Sequence, residues 1–197
     1  MTREEVHRAL EEMQDAKIFI TGFGMPWGKA LEGARMAKEE YGMTTLCNVS
    51  PLPDGPMGTL DYLDYVVLND VEARALLGLE EDAPDSVHRM AEALKAEYRC
   101  GGVVITCGEK GSAVLDGERL IEVAPISVDA VDTIGAGDGY LAAFVTGLVR
   151  GMEVEKAAEF AGRYAAFKVT RKGSMTKRPG MGYPFAPEVE EFILGLS

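Results

Sequence analysis

Cysteine and histidine are scarce in this sequence, which limits the metal and redox chemistry that it can carry. Its 197 residues include three cysteines, Cys47, Cys100 and Cys107, and two histidines. None of the cysteines forms a C-x-x-C pair, so neither a zinc site nor a disulfide framework is predicted. This cysteine usage fits a reduced, cytoplasmic setting. His7 and His88 lie in polar helical stretches and are predicted to be surface residues.

Long apolar runs and an excess of positive charge are also missing. No apolar run reaches the roughly 18 residues that a membrane span needs, so no membrane association is predicted. The first residues are charged and lack the apolar segment of a signal peptide. The net charge is −12 and no basic stripe is visible, which argues against a nucleic-acid partner. Because the chain is acidic overall, a phosphate ligand would have to be held by backbone groups, a few basic side chains and metal ions.

What the sequence does contain is a globular composition in which strand and helix patterns alternate. Hydrophobic residues make up 47% of the chain, enough for one domain with a sizeable core. Strand-length apolar runs lie at 17–21, 44–49, 65–68 and 103–106, and an apparent hairpin joins 112–115 to 120–123. Helical patterns cover 2–15, 27–41, 70–77, 85–98, 136–150 and 154–169, and a last amphipathic helix contains Val189, Phe192, Ile193 and Leu196.

This alternation predicts an α/β fold, a Rossmann-like three-layer α/β/α sandwich whose mostly parallel sheet is covered on both faces. Ligands of such sheets bind beyond the carboxyl ends of the strands. The loops after Leu68, after Thr106 and before Ala136 are therefore predicted to share one rim. No internal repeat, low-complexity tract or linker is visible, so residues 1–197 are predicted to form a single domain.

The stretch from Asp132 to Asp138 is the strongest candidate for chemistry. Gly135, Ala136 and Gly137 precede an apolar-periodic run and thus lie at a predicted helix N-terminus, where unpaired amides and the helix dipole favour an anion. Small residues let a phosphate approach the backbone closely. Asp138 has two readings: an acid that stabilises the first helical turn, or a base that takes a proton from an attacking hydroxyl.

Two further motifs follow predicted strands, and each has a structural and a functional reading. Asn69 and Glu72 could simply cap a helix, or they could help to hold a magnesium ion, which prefers oxygen ligands. Thr106, Gly108 and Gly111 form a Thr-x-Gly-x-x-Gly string. Its glycines could serve a turn that needs positive φ, or the turn could contact a nucleotide.

Over fourteen positions, the string from Asp132 to Val145 resembles the C-terminal signature of ribokinase-like (PfkB-type) carbohydrate kinases. The resemblance implies a ribokinase-type fold and ATP-dependent transfer of the γ-phosphate to a hydroxyl of a sugar or a sugar-like small molecule. By the same resemblance, Asp138 is the catalytic base. Gly135, Ala136 and Gly137 form the anion hole for the transferred phosphoryl group.

The resemblance also assigns the other motifs. It implies that Asn69 and Glu72 position Mg²⁺, its waters and the phosphates, and that Thr106, Gly108 and Gly111 contact ATP. The adenine would lie near the stretch that begins at Ala161 and ends at Ala165. Backbone carbonyls could hold K⁺ near four residues: Asp132, Ile134, Arg171 and Gly173.

The part of the family that carries the sugar contacts and the β lid has no match in this sequence. Three explanations stay open: a split gene, a truncated sequence, or a shortened member that binds nucleotide without phosphorylating a sugar. A parallel sheet without that part would expose an edge strand and apolar surface. We therefore expect self-association, or a partner chain that supplies the missing part. The alternative function is a catalytically incomplete nucleotide-binding or regulatory module.

Overall fold

The computed structural model describes residues 2–24, 26–80, 86–174, 182–184 and 187–189. The strands are β1 (Ile18–Gly22), β2 (Thr44–Asn48), β3 (Tyr65–Asn69), β4 (Gly102–Thr106), β5 (Ser112–Asp116) and β6 (Arg119–Val123). The helices are α1 (Arg3–Glu12), α2 (Trp27–Glu39), α3 (Asp70–Leu76), α4 (Val87–Tyr98), α5 (Ala136–Val149) and α6 (Val154–Val169), and a short 3₁₀ turn covers Gly108–Lys110.

The strands form one sheet in the order β1-β2-β3-β4-β5-β6, and β1 to β4 run parallel. The register pairs Ile20 with Leu46, and it pairs Asn69 with Thr106 at the carboxyl ends of β3 and β4. Helices flank this sheet, which confirms the predicted α/β fold with a mostly parallel sheet. The carboxyl ends of parallel strands meet at the same edge of a sheet. The loops after Leu68 and after Thr106, which were predicted to belong to the site, are therefore neighbours.

Local sequence signals set several helix boundaries. The Thr2 hydroxyl accepts the Glu5 N–H at 3.2 Å while the Glu5 carboxylate accepts the Thr2 N–H at 2.7 Å, and this pair of bonds is a capping box at the start of α1. Helix α4 begins after Ser86, whose hydroxyl accepts the Arg89 N–H. Each cap satisfies an amide that has no intrahelical acceptor.

By its internal contacts the described chain divides into two compact units. Unit 1 contains Met1–Cys107 and Ala113–Ile121, and unit 2 contains Gly108–Ser112 and Glu122–Ser197. The prediction of a single domain over 1–197 stays a prediction. The central strands of unit 1 are buried on both faces, and Val103, Val104 and Ile105 of β4 have no exposed surface. Such continuous apolar strands are typical of a covered parallel sheet.

In unit 2, helices α5 and α6 pack closely against each other. A methyl group added at Gly147 of α5 would lie 2.8 Å from the Ala157 Cβ of α6, closer than two carbon atoms can approach. Ala157, Ala158 and Ala161 of α6 are fully buried. Small side chains on both helices therefore allow their backbones to come near one another.

Strand β1 is an edge strand of the sheet, and its Ile20 is 45% exposed. The self-association or partner chain that was expected at an exposed edge strand stays a prediction. None of the helices formed by the described residues has both the length and the apolar character of a membrane span. The His7 and His88 side chains are 44% and 48% exposed, as predicted. Asp85, Phe192, Ile193 and Leu196 lie outside the described residues.

All three cysteines are buried thiols outside any disulfide, which gives a first testable prediction. Burial raises the pKa of Cys47 to about 12, and burial also raises that of Cys100 to about 11. At neutral pH the reactive thiolate is therefore suppressed by orders of magnitude at both positions. We expect a water-soluble aromatic disulfide to react slowly with the native protein and to titrate all three thiols only in denaturant. Rapid reaction of three thiols in the native protein would contradict this burial.

Candidate active site

The start of helix α5 has the geometry of an anion-binding turn. Gly135 is the N-cap residue and has φ 77°, a left-handed conformation that glycine adopts without strain. The Ala136 N–H donates to the Thr133 carbonyl at 3.1 Å. Within the described residues, no acceptor is found for the amides of Gly137 and Asp138. A methyl group added at Gly137 would have no atom within 4 Å, so the space at the Cβ position of this residue is open.

Asp138 lies in the first turn of α5 and is exposed. The Tyr183 hydroxyl lies close enough for the Asp138 carboxylate to act on it electrostatically. Partial burial and, next, the negative charge of Asp138 raise the pKa of Tyr183, so its hydroxyl remains a donor at neutral pH. The same hydroxyl lies 2.5 Å from where a Cβ at Gly135 would stand, and the Tyr183 ring also borders Gly139.

In unit 1, the side chains of Asn69 and Glu72 hold the start of α3. The Asn69 side-chain oxygen accepts the Glu72 N–H at 2.8 Å, and the Glu72 carboxylate accepts the Asn69 N–H at 2.8 Å. The structure thus bears out the capping reading. Both residues are only half-buried, and Asn69 pairs in register with Thr106 of the adjacent strand. Asn69, Glu72 and Thr106 are therefore brought together at one sheet edge.

The family resemblance implied Mg²⁺ at Asn69 and Glu72. These two residues fit a magnesium site only if phosphate oxygens supply further ligands. Among the described residues there is no group of three or more His, Cys, Asp or Glu side chains that could hold a metal. Mg²⁺ keeps several waters and needs one or two protein carboxylates when phosphate oxygens are also present. The role of Glu72 as a magnesium ligand stays a prediction.

The Thr106-x-Gly108-x-x-Gly111 string forms a tight turn. Gly108 and Gly111 have φ of 56° and 89°, so the structure bears out the turn reading. A Cβ at Gly111 would collide with the Val123 carbonyl oxygen, whereas at Gly108 it would meet nothing within 4 Å. Gly111 is thus required by packing, and Gly108 leaves an open backbone surface. Contact of this turn with ATP stays a prediction.

The loop before α5 is tied to the segment after α6 through the Asp132 carboxylate, which accepts backbone hydrogen bonds. This carboxylate accepts the Ile134 N–H at 3.0 Å and the Gly173 N–H at 2.8 Å. These backbone hydrogen bonds, from Ile134 first and then Gly173, lower the pKa of Asp132, and nearby Lys168 adds to the effect. The stabilisation is therefore present at neutral pH and is lost as the pH falls through the lowered pKa.

The carbonyl group of Asp132 already has a cationic partner. Lys168, in the last turn of α6, is fully buried, and its ammonium donates to the Asp132 carbonyl oxygen at 3.2 Å. Arg171, whose carbonyl was also predicted to face potassium, is buried; its guanidinium donates to the Gly182 carbonyl and pairs with Glu188 at 2.8 Å. A buried lysine of α6, which the prediction did not consider, thus already donates to one of the carbonyls predicted to hold K⁺.

Ala161 has no exposed surface, whereas the residues after it are half-buried. Its side chain packs inside unit 2, and the more accessible part of the stretch assigned to the adenine is 162–165. Contact of Ala161 with the nucleotide stays a prediction. Within that stretch, the accessibility favours the later residues.

Sequence reasoning missed two residues, Tyr183 and Lys168. Tyr183 lies in a stretch read only as loop, and nothing in its spacing indicates contact with Asp138. Lys168 lies within the predicted helix 154–169 and was not singled out. It follows Ala157 and Ala161 by the helical spacings of a buried stripe, and that spacing is the signal that could have revealed its burial.

Taken by itself, the α5 start of unit 2 can bind an anion and move a proton. The amides of Gly137 and Asp138 and the helix dipole favour a phosphate. The Asp138 carboxylate, exposed beside them, is accessible to the hydroxyl of a second molecule. An anion site adjacent to a carboxylate base is the arrangement that phosphoryl transfer to an alcohol needs.

Known proteins are similar to this chain in both sequence and fold. The chain is 28% identical over 182 residues to the deoxyribokinase of Salmonella typhi, covering 92% of this chain and 59% of that relative. The chain therefore spans 59% of the length of that kinase.

Solved structures agree with this likeness. Ribokinase of Arabidopsis thaliana, complexed with ribose and ATP, superposes with TM-score 0.80 at 26% identity, covering 98% of this chain and 59% of that one. Phosphofructokinase-2 of Escherichia coli, in complex with potassium, shares the fold with TM-score 0.71 at 18% identity, over 100% of this chain and 63% of that one. Residues 10–180 match the pfkB family carbohydrate kinase. The chain belongs to the pfkB family of carbohydrate kinases.

Proposed function

We propose that this chain carries the phosphoryl-transfer site of an ATP-dependent kinase that phosphorylates a hydroxyl of a sugar or a sugar-like small molecule. One observation carries the proposal: the amides of Gly137 and Asp138 have no acceptor in the described structure, and they lie beside an exposed carboxylate. Membership of a carbohydrate kinase family supports the choice of phosphate donor and acceptor.

In the proposed reaction, Asp138 takes the proton from the acceptor hydroxyl as its oxygen attacks the γ-phosphorus of ATP. A new phosphorus–oxygen bond forms, the bond to the β-phosphate oxygen breaks, and ADP leaves with that electron pair. Negative charge on the transferred group faces the amides of Gly137 and Asp138 at this glycine-lined turn. Fixed donors aimed at developing charge are usually the largest catalytic contribution.

The phosphates of ATP need a counter-charge, because the chain itself is strongly acidic. We assign Mg²⁺ to Glu72, with Asn69 orienting its waters. When bound, the ion would supply positive charge that offsets the charge of the phosphates. The capping hydrogen bonds at the start of α3 would fix both side chains for this role.

Tyr183 is proposed as a positioning residue whose hydroxyl donates a hydrogen bond to the base. Replacing Tyr183 with phenylalanine removes this hydroxyl and keeps the ring beside Gly139. Because a hydrogen bond to a charged group contributes about 1.5–3 kcal/mol, we expect kcat to fall about tenfold while KM for ATP stays nearly constant. Initial rates over a range of ATP concentrations measure the two constants separately.

The matched control is Tyr98→Phe, which removes a hydroxyl from a half-buried tyrosine of α4 in unit 1. It should leave both constants unchanged. A Tyr183→Phe variant with normal kcat would remove Tyr183 from the account, and a parallel loss of thermal stability and kcat would indicate a purely structural role.

A second candidate function is a nucleotide-binding module, or one half of a split kinase. It is favoured by the fact that the chain spans 59% of the deoxyribokinase that it matches. Residues matching the sugar contacts of the family were not found in the sequence. This candidate predicts ATP binding without turnover by the isolated chain.

One experiment separates these possibilities. The purified chain is incubated with ATP, Mg²⁺ and a panel of sugars and nucleosides, and ADP formation is followed together with calorimetric ATP binding. Ribose and deoxyribose come first in the panel, because the names of the similar proteins point to them. Turnover supports the kinase, ATP binding alone supports the module, and the absence of both overturns both proposals.

A further inference from the structure

Lys168 is a lysine with no exposed surface, at the C-terminal end of α6. Lysine is almost never fully buried unless its charge is paired or hydrogen-bonded. Its ammonium donates to the backbone carbonyl of Asp132, 36 residues earlier in the chain. A buried side chain that reaches so distant a backbone group requires an explanation beyond helix capping.

The ammonium lies where two backbone segments are joined. The Val131 and Asp132 amides donate to the Val169 carbonyl at 2.7 and 3.0 Å, and the Gly173 amide donates to the Asp132 carboxylate. These segments, 131–134 and 168–173, include Asp132, Ile134, Arg171 and Gly173, near which carbonyls were predicted to hold potassium. The first of them leads directly into Gly135, the N-cap of α5.

An ammonium can supply what a monovalent cation supplies in such a loop. It carries one positive charge and three hydrogen-bond donors, so it can bind several carbonyl oxygens. The C-terminal end of α6 and the negative carboxylate of Asp132 favour a cation at this position. A potassium ion on the same carbonyl would be repelled by the ammonium, and burial strengthens that repulsion. The residues present therefore do not fit K⁺ in addition to Lys168.

We propose that the ammonium of Lys168 is a built-in monovalent cation that replaces potassium in the loop leading to the α5 anion site. The chain then holds this loop in place without a dissociable ion, and its behaviour does not depend on potassium. The catalytic meaning of the inference rests on the proposed kinase function, but the replacement itself is a property of the folded chain and can be measured without turnover.

The test compares potassium chloride with tetramethylammonium chloride at equal ionic strength, on the full chain. Thermal unfolding and calorimetric ATP affinity are measured for the wild type, Lys168→Ala, Lys168→Met and Lys172→Ala. Lys168→Ala removes the ammonium and leaves room for an ion, while Lys168→Met fills the same space without charge. Lys172→Ala is the matched control, because it removes one positive charge from an exposed side chain four residues away.

We expect the wild type and Lys172→Ala to have the same Tm in both salts, and ATP affinities that differ by less than about twofold. Potassium should raise the Tm of Lys168→Ala by about 2–4 °C and tighten its ATP binding about fivefold or more. Lys168→Met should be less stable than the wild type in both salts and should gain little from potassium.

Two results would overturn the proposal. One is a wild type that potassium stabilises, or whose ATP binding it tightens about fivefold or more. The other is a folded Lys168→Ala that responds to potassium no more than the wild type does. If Lys168→Ala folds in neither salt, the wild-type comparison alone decides. If no variant binds ATP, the kinase proposal fails, and the unfolding measurements still decide whether Lys168 replaces the ion.

Discussion

Replacing Asp138 with asparagine is expected to lower turnover by about 10²–10⁴-fold, because an amide cannot accept the proton of the attacking hydroxyl. The substitution keeps the size of the side chain, and its amide oxygen can still accept the hydrogen bond proposed for Tyr183. ATP binding should be unchanged or slightly tighter, since a negative charge beside the phosphates is removed. Steady-state rates and calorimetric ATP titration distinguish this pattern from a folding defect.

The alternative reading of Asp138 as a first-turn acid makes a different prediction. Loss of a favourable charge at a helix N-terminus costs about 0.3–1 kcal/mol of stability and nothing in chemistry. Glu155→Gln is the matched control, because Glu155 is an acid in the first turn of α6. It should show that small stability change with normal turnover. Normal turnover in Asp138→Asn itself would rule out the base assignment.

Gly137→Ala is expected to separate function from stability at the same turn. Gly137 lies in a helix, and an added methyl group would meet nothing within 4 Å, so folding should be maintained or improved by up to about 1 kcal/mol. The methyl group would enter the open space at this turn, where we place the anion. Because losing the contact of one such donor costs about 10²–10³ in rate, a methyl group that keeps the anion away from these amides should lower turnover by a similar factor. Thermal unfolding and initial rates report the two effects.

Two other glycines serve as comparisons for this prediction. Gly135→Ala should lose both stability and turnover, because Gly135 has φ 77° and a Cβ there would lie 2.5 Å from the Tyr183 hydroxyl. Gly28→Ala, in helix α2 with nothing near its Cβ position, should gain stability and leave turnover unchanged. Normal turnover in Gly137→Ala would mean that the anion does not bind at this turn.

Much of the fold follows from interactions between residues that are close in sequence. The Thr2–Glu5 and Asn69–Glu72 pairs are separated by three positions, so their capping boxes could be predicted and both are present. The adjacency of Asn69 and Thr106 was also predictable, because parallel strands in a covered sheet end at one edge. These features depend on local spacing and on the rule for parallel strands.

The features that the sequence did not predict depend on tertiary contacts. Lys168 looks like a solvated cation at a helix end until the segment before α5 packs over it. Tyr183 reaches Asp138 and Gly135 from a part of the chain without periodicity. Both residues act on the predicted site from the C-terminal part of unit 2, and no pattern of neighbouring residues specifies that they should.

The most direct test of the phosphate-binding claim compares the binding of ATP and ADP to the wild type and to Gly137→Ala by calorimetry. If the amides at the start of α5 hold the terminal phosphate, the substitution should weaken ATP binding about tenfold or more and change ADP binding little. Equal weakening of both nucleotides, or no change in either, would contradict the assignment of the γ-phosphate to this turn.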